Sequence, residues 1–211
     1  MQSPLPKWAR IPAIAVVGAV AAALVVTATP AQAQFSDGYK FLEAVRKKEG
    51  QKVEDALSEP GSTIIRSRDI TSGETALHIV TQRRDITWLQ YLVQKGADVN
   101  MRDERGTTPL QLATSLGWTD GVEFLVSRKA NLDESDDAGE TPLISAVHRK
   151  NARLMRVLLE GGADPDRADN SGRSARDYAK LAGNEALLTA IETHEKPELQ
   201  RKPKTVYGPT F

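Results

Sequence analysis

The chain contains no cysteine, so neither a disulfide nor a lipid-modified thiol holds or anchors it, and packing alone must stabilise it. Histidine is scarce: His78, His148 and His194 stand far apart, with no His-x-x-x-His pair and no carboxylate cluster at ligand spacing. A Gly-x-Ser-x-Gly elbow and a phosphate-cradling glycine loop are also missing. The 28 basic and 28 acidic residues cancel without a basic cluster, which argues against nucleic acid as a partner. The acidic stretch from Asp133 to Asp137 lacks the alternating ligands and glycine of a calcium loop. These absences leave no catalytic residue, metal ligand or cofactor site to name.

Long apolar runs are rare too, with one exception from Ile11 to Ala28. Lys7 and Arg10 precede it, and Ala31 and Ala33 supply small residues where an export peptidase reads. Residues 1–33 therefore read as a secretory signal cleaved after Ala33, with the bacterial periplasm as the expected destination. The alternative is a retained anchor, because a run of this length is near the lower limit for spanning hydrocarbon. The protein would then be a membrane-tethered scaffold. The remaining chain, with 26 basic and 28 acidic side chains, suffices for one domain.

What the sequence does contain is a period. Gly73, Gly106, Gly139 and Gly172 recur every 33 residues, and each opens a similar phrase. The copies continue as Thr75-Ala76-Leu77-His78, Thr108-Pro109-Leu110-Gln111, Thr141-Pro142-Leu143-Ile144 and Ser174-Ala175-Arg176-Asp177. A second phrase returns in register at Gly96-Ala97-Asp98, Lys129-Ala130-Asn131 and Gly162-Ala163-Asp164. Such a period calls for a repeat architecture. The hydroxyl residue is a helix N-cap, and Pro109 and Pro142 occupy the first helical position, where a missing N–H costs nothing. The preceding glycine suits a tight turn with positive φ, and Gly96 and Gly162 suit the end of a second helix. Each unit reads as turn, helix, turn, helix. Helices this short need neighbours, so stacked units must bury a continuous apolar layer between polar caps.

These phrases resemble the ankyrin repeat pattern D-x-x-G-x-T-P-L-H-x-A-A followed by G-A-D-V-N. The resemblance covers roughly residues 40 to 195 and implies an all-α repeat solenoid, a stack of helix-turn-helix units joined by β-turn or hairpin loops. Residues 34–68 form an N-terminal capping repeat and link, with Ile64 and Ile65 tucked under the first full repeat. Residues 69–196 hold repeats at about 69–102, 103–135, 136–168 and 169–196, the last a cap, and 197–211 an extended tail. The resemblance implies that His78 is structural, facing Thr75 across the helix start. It also implies a non-enzymatic module that binds another protein through turn tips and the concave inner-helix face. The candidate partner-binding residues are Arg83, Glu104, Arg105, Leu116, Trp118, His148 and Arg149.

The second repeat departs most from the pattern. Gly121 replaces a core isoleucine, and Lys129 stands where glycine would end the second helix. Their expected costs, roughly 1 kcal/mol and roughly 1–2 kcal/mol, make this repeat the expected soft one. Trp118, three residues before Gly121, either folds over the space that the glycine leaves or stands exposed as an anchor. Trp88 is expected to pack between repeats.

Overall fold

The computed structural model describes residues 36–59, 62–183 and 185–199, with side chains to residue 194. The expected signal segment at residues 1–33 and the chain beyond residue 199 lie outside the described residues. Helices come in antiparallel pairs. The first pair is α1 (Asp37–Lys47) and α2 (Gly50–Ser58), followed by a 3-10 turn at Ile64–Arg66. Four further pairs follow: α3 (Ala76–Gln82) with α4 (Ile86–Gln94), α5 (Pro109–Ser115) with α6 (Thr119–Ser127), α7 (Pro142–His148) with α8 (Ala152–Gly161), and α9 (Ala175–Leu181) with α10 (Glu185–Leu199). Inner helices α1, α3, α5, α7 and α9 pack in sequence, and α4, α6, α8 and α10 form the outer layer beside them. No strand forms among the described residues, only isolated bridges at Arg68–Thr75 and Ala168–Ser174.

The helix starts follow from their caps. Thr75, Thr108, Thr141 and Ser174 are extended residues just ahead of α3, α5, α7 and α9. Their hydroxyls accept from the amide three residues on, satisfying a helix-start donor. Pro109 and Pro142 occupy the first helical turn, as expected. Between helices of adjacent pairs lies a continuous core that includes Leu77, Leu89, Leu110, Leu125, Leu143, Leu158 and Leu187. Ile64 and Ile65 lie on this core's edge, in a turn against α1 and α2.

Each hairpin is tied by one aspartate. Asp69 Oδ1 accepts from Thr71 and Ser72 amides, Asp103 Oδ1 from Arg105 and Thr107, Asp136 Oδ1 from Ala138 and Glu140, and Asp169 Oδ1 from Ser171 and Arg173. The Arg46 guanidinium, helped by the two amides, holds the Asp69 carboxyl at about 2. The Tyr178 hydroxyl, followed by that of Ser171, holds Asp169 well below the usual carboxylate range. Successive hairpins are then laddered: Glu104 N donates to Ser72 O, Asp137 N to Arg105 O and Asn170 N to Ala138 O.

The glycine of the repeated phrase is required for two reasons. At Gly73, Gly106 and Gly139, φ lies between 68° and 79°, and the next hairpin closes over the Cα. A Cβ on Gly73 would meet Glu104 N at 2.6 Å, and one on Gly139 would meet Asn170 N at 2.5 Å. Only glycine permits that approach.

Two expectations change. Lys129 is left-handed at φ 60°, but Arg84 and Lys150 are also left-handed, at φ 55° and 53°. These two end the inner helices of the first and third repeats, where the second repeat has Gly117 at φ 70°. Every full repeat thus carries one strained non-glycine residue, and backbone strain does not single out the second. The other change is at the C-terminus: α10 runs to Leu199, past Pro197. The expected tail at 197–211 therefore begins inside the helix. Proline removes one intrahelical donor there, and the described helix continues two residues beyond it.

Candidate binding surface

The inner helices carry two rows in the register of the repeat on the side expected to be concave. One row is Ile79, Leu112, Ser145 and Tyr178, of which Ile79 and Ser145 are buried, and the other is Gln82, Ser115, His148 and Leu181, all exposed. At the second and third repeats, the rows and hairpin tips enclose a groove of about 430 Å³. Its walls include Arg105, Leu112, Ser115, Asp137, Glu140 and Ser145. The floor is held by buried bonds, since Gln111 Nε2 donates to Glu140 O across the repeat boundary while Gln111 Oε1 accepts from Thr108 N. The groove therefore has a fixed floor, which needs little ordering when the groove is filled.

Of the seven residues proposed from sequence, only Arg105 lines this groove. Its side chain is 82% exposed, with Nε 3.8 Å from Asp103. Glu104 lies on the same hairpin tip, 3.7 Å from Arg68 of the preceding hairpin. His148 is exposed on the concave row, with Nδ1 3.6 Å from Glu140 and its ring 4.5 Å from that of Tyr178. Leu116 is half-buried at the end of α5. Leu112, Gln111, Glu140 and Ser145 were missed, although the register through Ile79 and Tyr178 points to the same wall.

Arg83 and Arg149 have a different role. Arg83 Nη1 donates to Val45 O and to Arg46 O at the end of α1, and its guanidinium lies 5.8 Å from the Trp88 ring. Arg149 Nη1 donates to Ser115 O, at the end of α5. Arg84 donates to Leu116 O at 2.7 Å from the other side. Cations thus bond carbonyls at the helix ends and oppose the negative ends of the helix dipoles. These arginines clamp the stack from one repeat to the next.

Trp118 is corrected from candidate anchor to packing residue. It is 8% exposed, and a Cβ on Gly121 would lie 2.2 Å from its ring. The indole fills the space that a larger side chain at Gly121 would take. Trp88 is only half-buried.

His78 sits at the heart of the stack at 1% exposure. Its Nδ1 accepts from Thr75 N, and its Nε2 donates to Thr107 O of the next repeat at 2.9 Å. Burial pushes the imidazole pKa below its ordinary value, so the ring is neutral in a role that needs one donor and one acceptor. Among the described residues, no group of three or more histidine, aspartate or glutamate side chains is placed to hold a metal ion. No described helix is long and apolar enough to cross a membrane.

Comparison with known proteins agrees with this geometry. Family models described as "Ankyrin repeats (3 copies)" and "Ankyrin repeats (many copies)" match residues 41–136 and 125–179. Protein phosphatase 1 regulatory subunit 27 of Homo sapiens is 31% identical over 93 residues, 41% of this chain and 55% of that protein. The Mus musculus protein of the same description matches to the same extent. This chain thus spans about half the length of the curated relatives it matches. With its period, caps, hairpin ladder and helix pairs, the chain belongs to the ankyrin repeat family.

Proposed function

We propose that this protein is a non-enzymatic, exported binding module that holds a protein partner in its concave groove. The observation that supports this most is the groove itself. Its walls mix exposed charge at Arg105 and Asp137 with half-buried, apolar Leu112, while Gln111 in its floor is bonded across repeats. A partner segment entering it meets prearranged groups and loses little conformational entropy to the protein. The relatives' description as regulatory subunits is in keeping with action through a second protein. The signal-like segment at residues 1–33 supports a periplasmic destination, with cleavage after Ala33.

Two measurements test the reading. Purification from the native envelope with Arg105→Ala and Asp137→Ala combined loses a partner that the parent chain retains, at unchanged helicity. Full retention of that partner places binding elsewhere. N-terminal sequencing of the exported protein yields Gln34 as the first residue. An intact N-terminus in the membrane fraction favours the tethered scaffold instead.

A further inference from the structure

On the opposite, outer side of the stack, α2 and α4 enclose a second depression of about 240 Å³. It is lined by Gly50, Glu54, Thr87, Trp88 and Tyr91. The two rings are 6.0 Å apart and inclined at 75°, giving the site two aromatic walls. Gly50 adds no bulk there, and a Cβ on it would meet nothing within 4 Å. Glu54 is exposed, and its charge helps to push the Tyr91 hydroxyl pKa upward, behind burial as the main cause. The carboxylate therefore acts on the same space as the rings.

Aromatic faces attract cations, and the attraction grows as water is excluded. The surrounding chain already uses both rings this way, with the Arg83 guanidinium 5.8 Å from the centroid of Trp88 and the Lys95 ammonium 5.4 Å from that of Tyr91. What distinguishes the depression is that a carboxylate joins the rings and, among the described residues, forms no ion pair: neighbouring Lys52 bonds Glu49, and Lys48 bonds Asp85. A guanidinium meets both features at once, stacking on a ring while its edge donates to the carboxylate.

We propose that the Trp88–Tyr91–Glu54 slot binds an arginine side chain presented by a protein partner. The site lies on the outer helices, so it does not depend on the concave groove's function. A partner long enough to reach both would gain from double attachment.

The test uses the full chain, isotopically labelled, titrated with a glycine-flanked arginine peptide and with its citrulline counterpart, which has nearly the same shape but no charge. The arginine peptide shifts the Trp88 indole N–H resonance saturably in the millimolar range, and the citrulline peptide does not. Glu54→Gln, an exposed change that leaves the fold intact, weakens the arginine response about threefold, and Tyr91→Leu weakens it by a similar factor. Free tetramethylammonium, which cannot donate hydrogen bonds, binds more weakly than the arginine peptide. Equal responses to arginine and citrulline overturn the proposal. So does a Trp88 resonance that the peptide leaves unmoved, or tighter binding of tetramethylammonium, which would indicate a small quaternary cation as the ligand.

Discussion

The boundary between the third and fourth repeats is built differently from the two before it. His78 bonds the first full repeat to Thr107 O of the second, and Gln111 bonds the second to Glu140 O of the third. The same position in the third repeat is Ile144, fully buried and without a polar atom to offer. At this boundary the side-chain link shifts to the solvent edge, where Asn170 Nδ2 donates to Asp137 O at 2.8 Å. Gly172 also differs from its counterparts, because a Cβ there meets nothing within 4 Å. A repeat is therefore defined as much by what stacks on it as by its own sequence. The buried polar bond fixes alignment in the interior, and the terminal repeat relies on apolar burial and an exposed amide.

The largest effect should separate two glycines of equal backbone angle. Gly139 and Gly172 both have φ 79°, so alanine strains both equally, but only at residue 139 does it strike the next hairpin. Gly139→Ala is expected to cost about 3–5 kcal/mol in urea unfolding and Gly172→Ala about 1–2 kcal/mol. Equal losses would break the comparison. Exchanging the bonding residues sharpens it further. Gln111→Ile leaves the buried Thr108 amide without its acceptor and removes one of two donors to Glu140 O, and should cost about 1–3 kcal/mol, whereas Ile144→Gln can form the equivalent bond toward Arg173 O and should stay within about 1 kcal/mol.

A smaller effect is read from pH. Folding lowers the pKa of His78, so the unfolded chain binds the proton more readily. Stability from this group is complete above the unfolded value of about 6.5 and is lost as pH falls from there toward the depressed folded value. His78→Gln should flatten the dependence of melting temperature on pH in that window. A slope unchanged by the substitution would contradict the neutral, bonded imidazole. In the parent chain, Asp69 should add a further loss as pH falls from the ordinary carboxylate range toward about 2. The smallest effect is expected at the groove wall, where Arg105→Ala should change stability by no more than about 0.5 kcal/mol.

The period, caps and turns were legible because each depends on a local conformation that few residues supply. A hydroxyl before proline starts a helix, and glycine with positive φ permits a hairpin to be covered. The left-handed positions Arg84 and Lys150 were not legible, since long side chains there give no compositional signal. Nor was the use of Arg83 and Arg149, whose partners are backbone carbonyls in other repeats. Their charge looked like surface available to a partner until the helix ends came into range. Trp118 was legible as one of two alternatives, and the missing side chain at Gly121 decided between them. The groove was partly legible: the tip residue Arg105 was found, but the row through Leu112 and Ser145 lies one helical turn ahead of the positions first singled out.

The central claim, that the concave groove receives a protein, is tested most directly by site-specific photocrosslinking in the native envelope. A photoreactive residue at Ser115, exposed on the groove wall, should capture one discrete partner, and the same residue at Glu160, exposed on outer helix α8 away from the Trp88–Tyr91 slot, should not capture it. Capture at Glu160 with none at Ser115 would contradict the account and move the binding face to the outer helices.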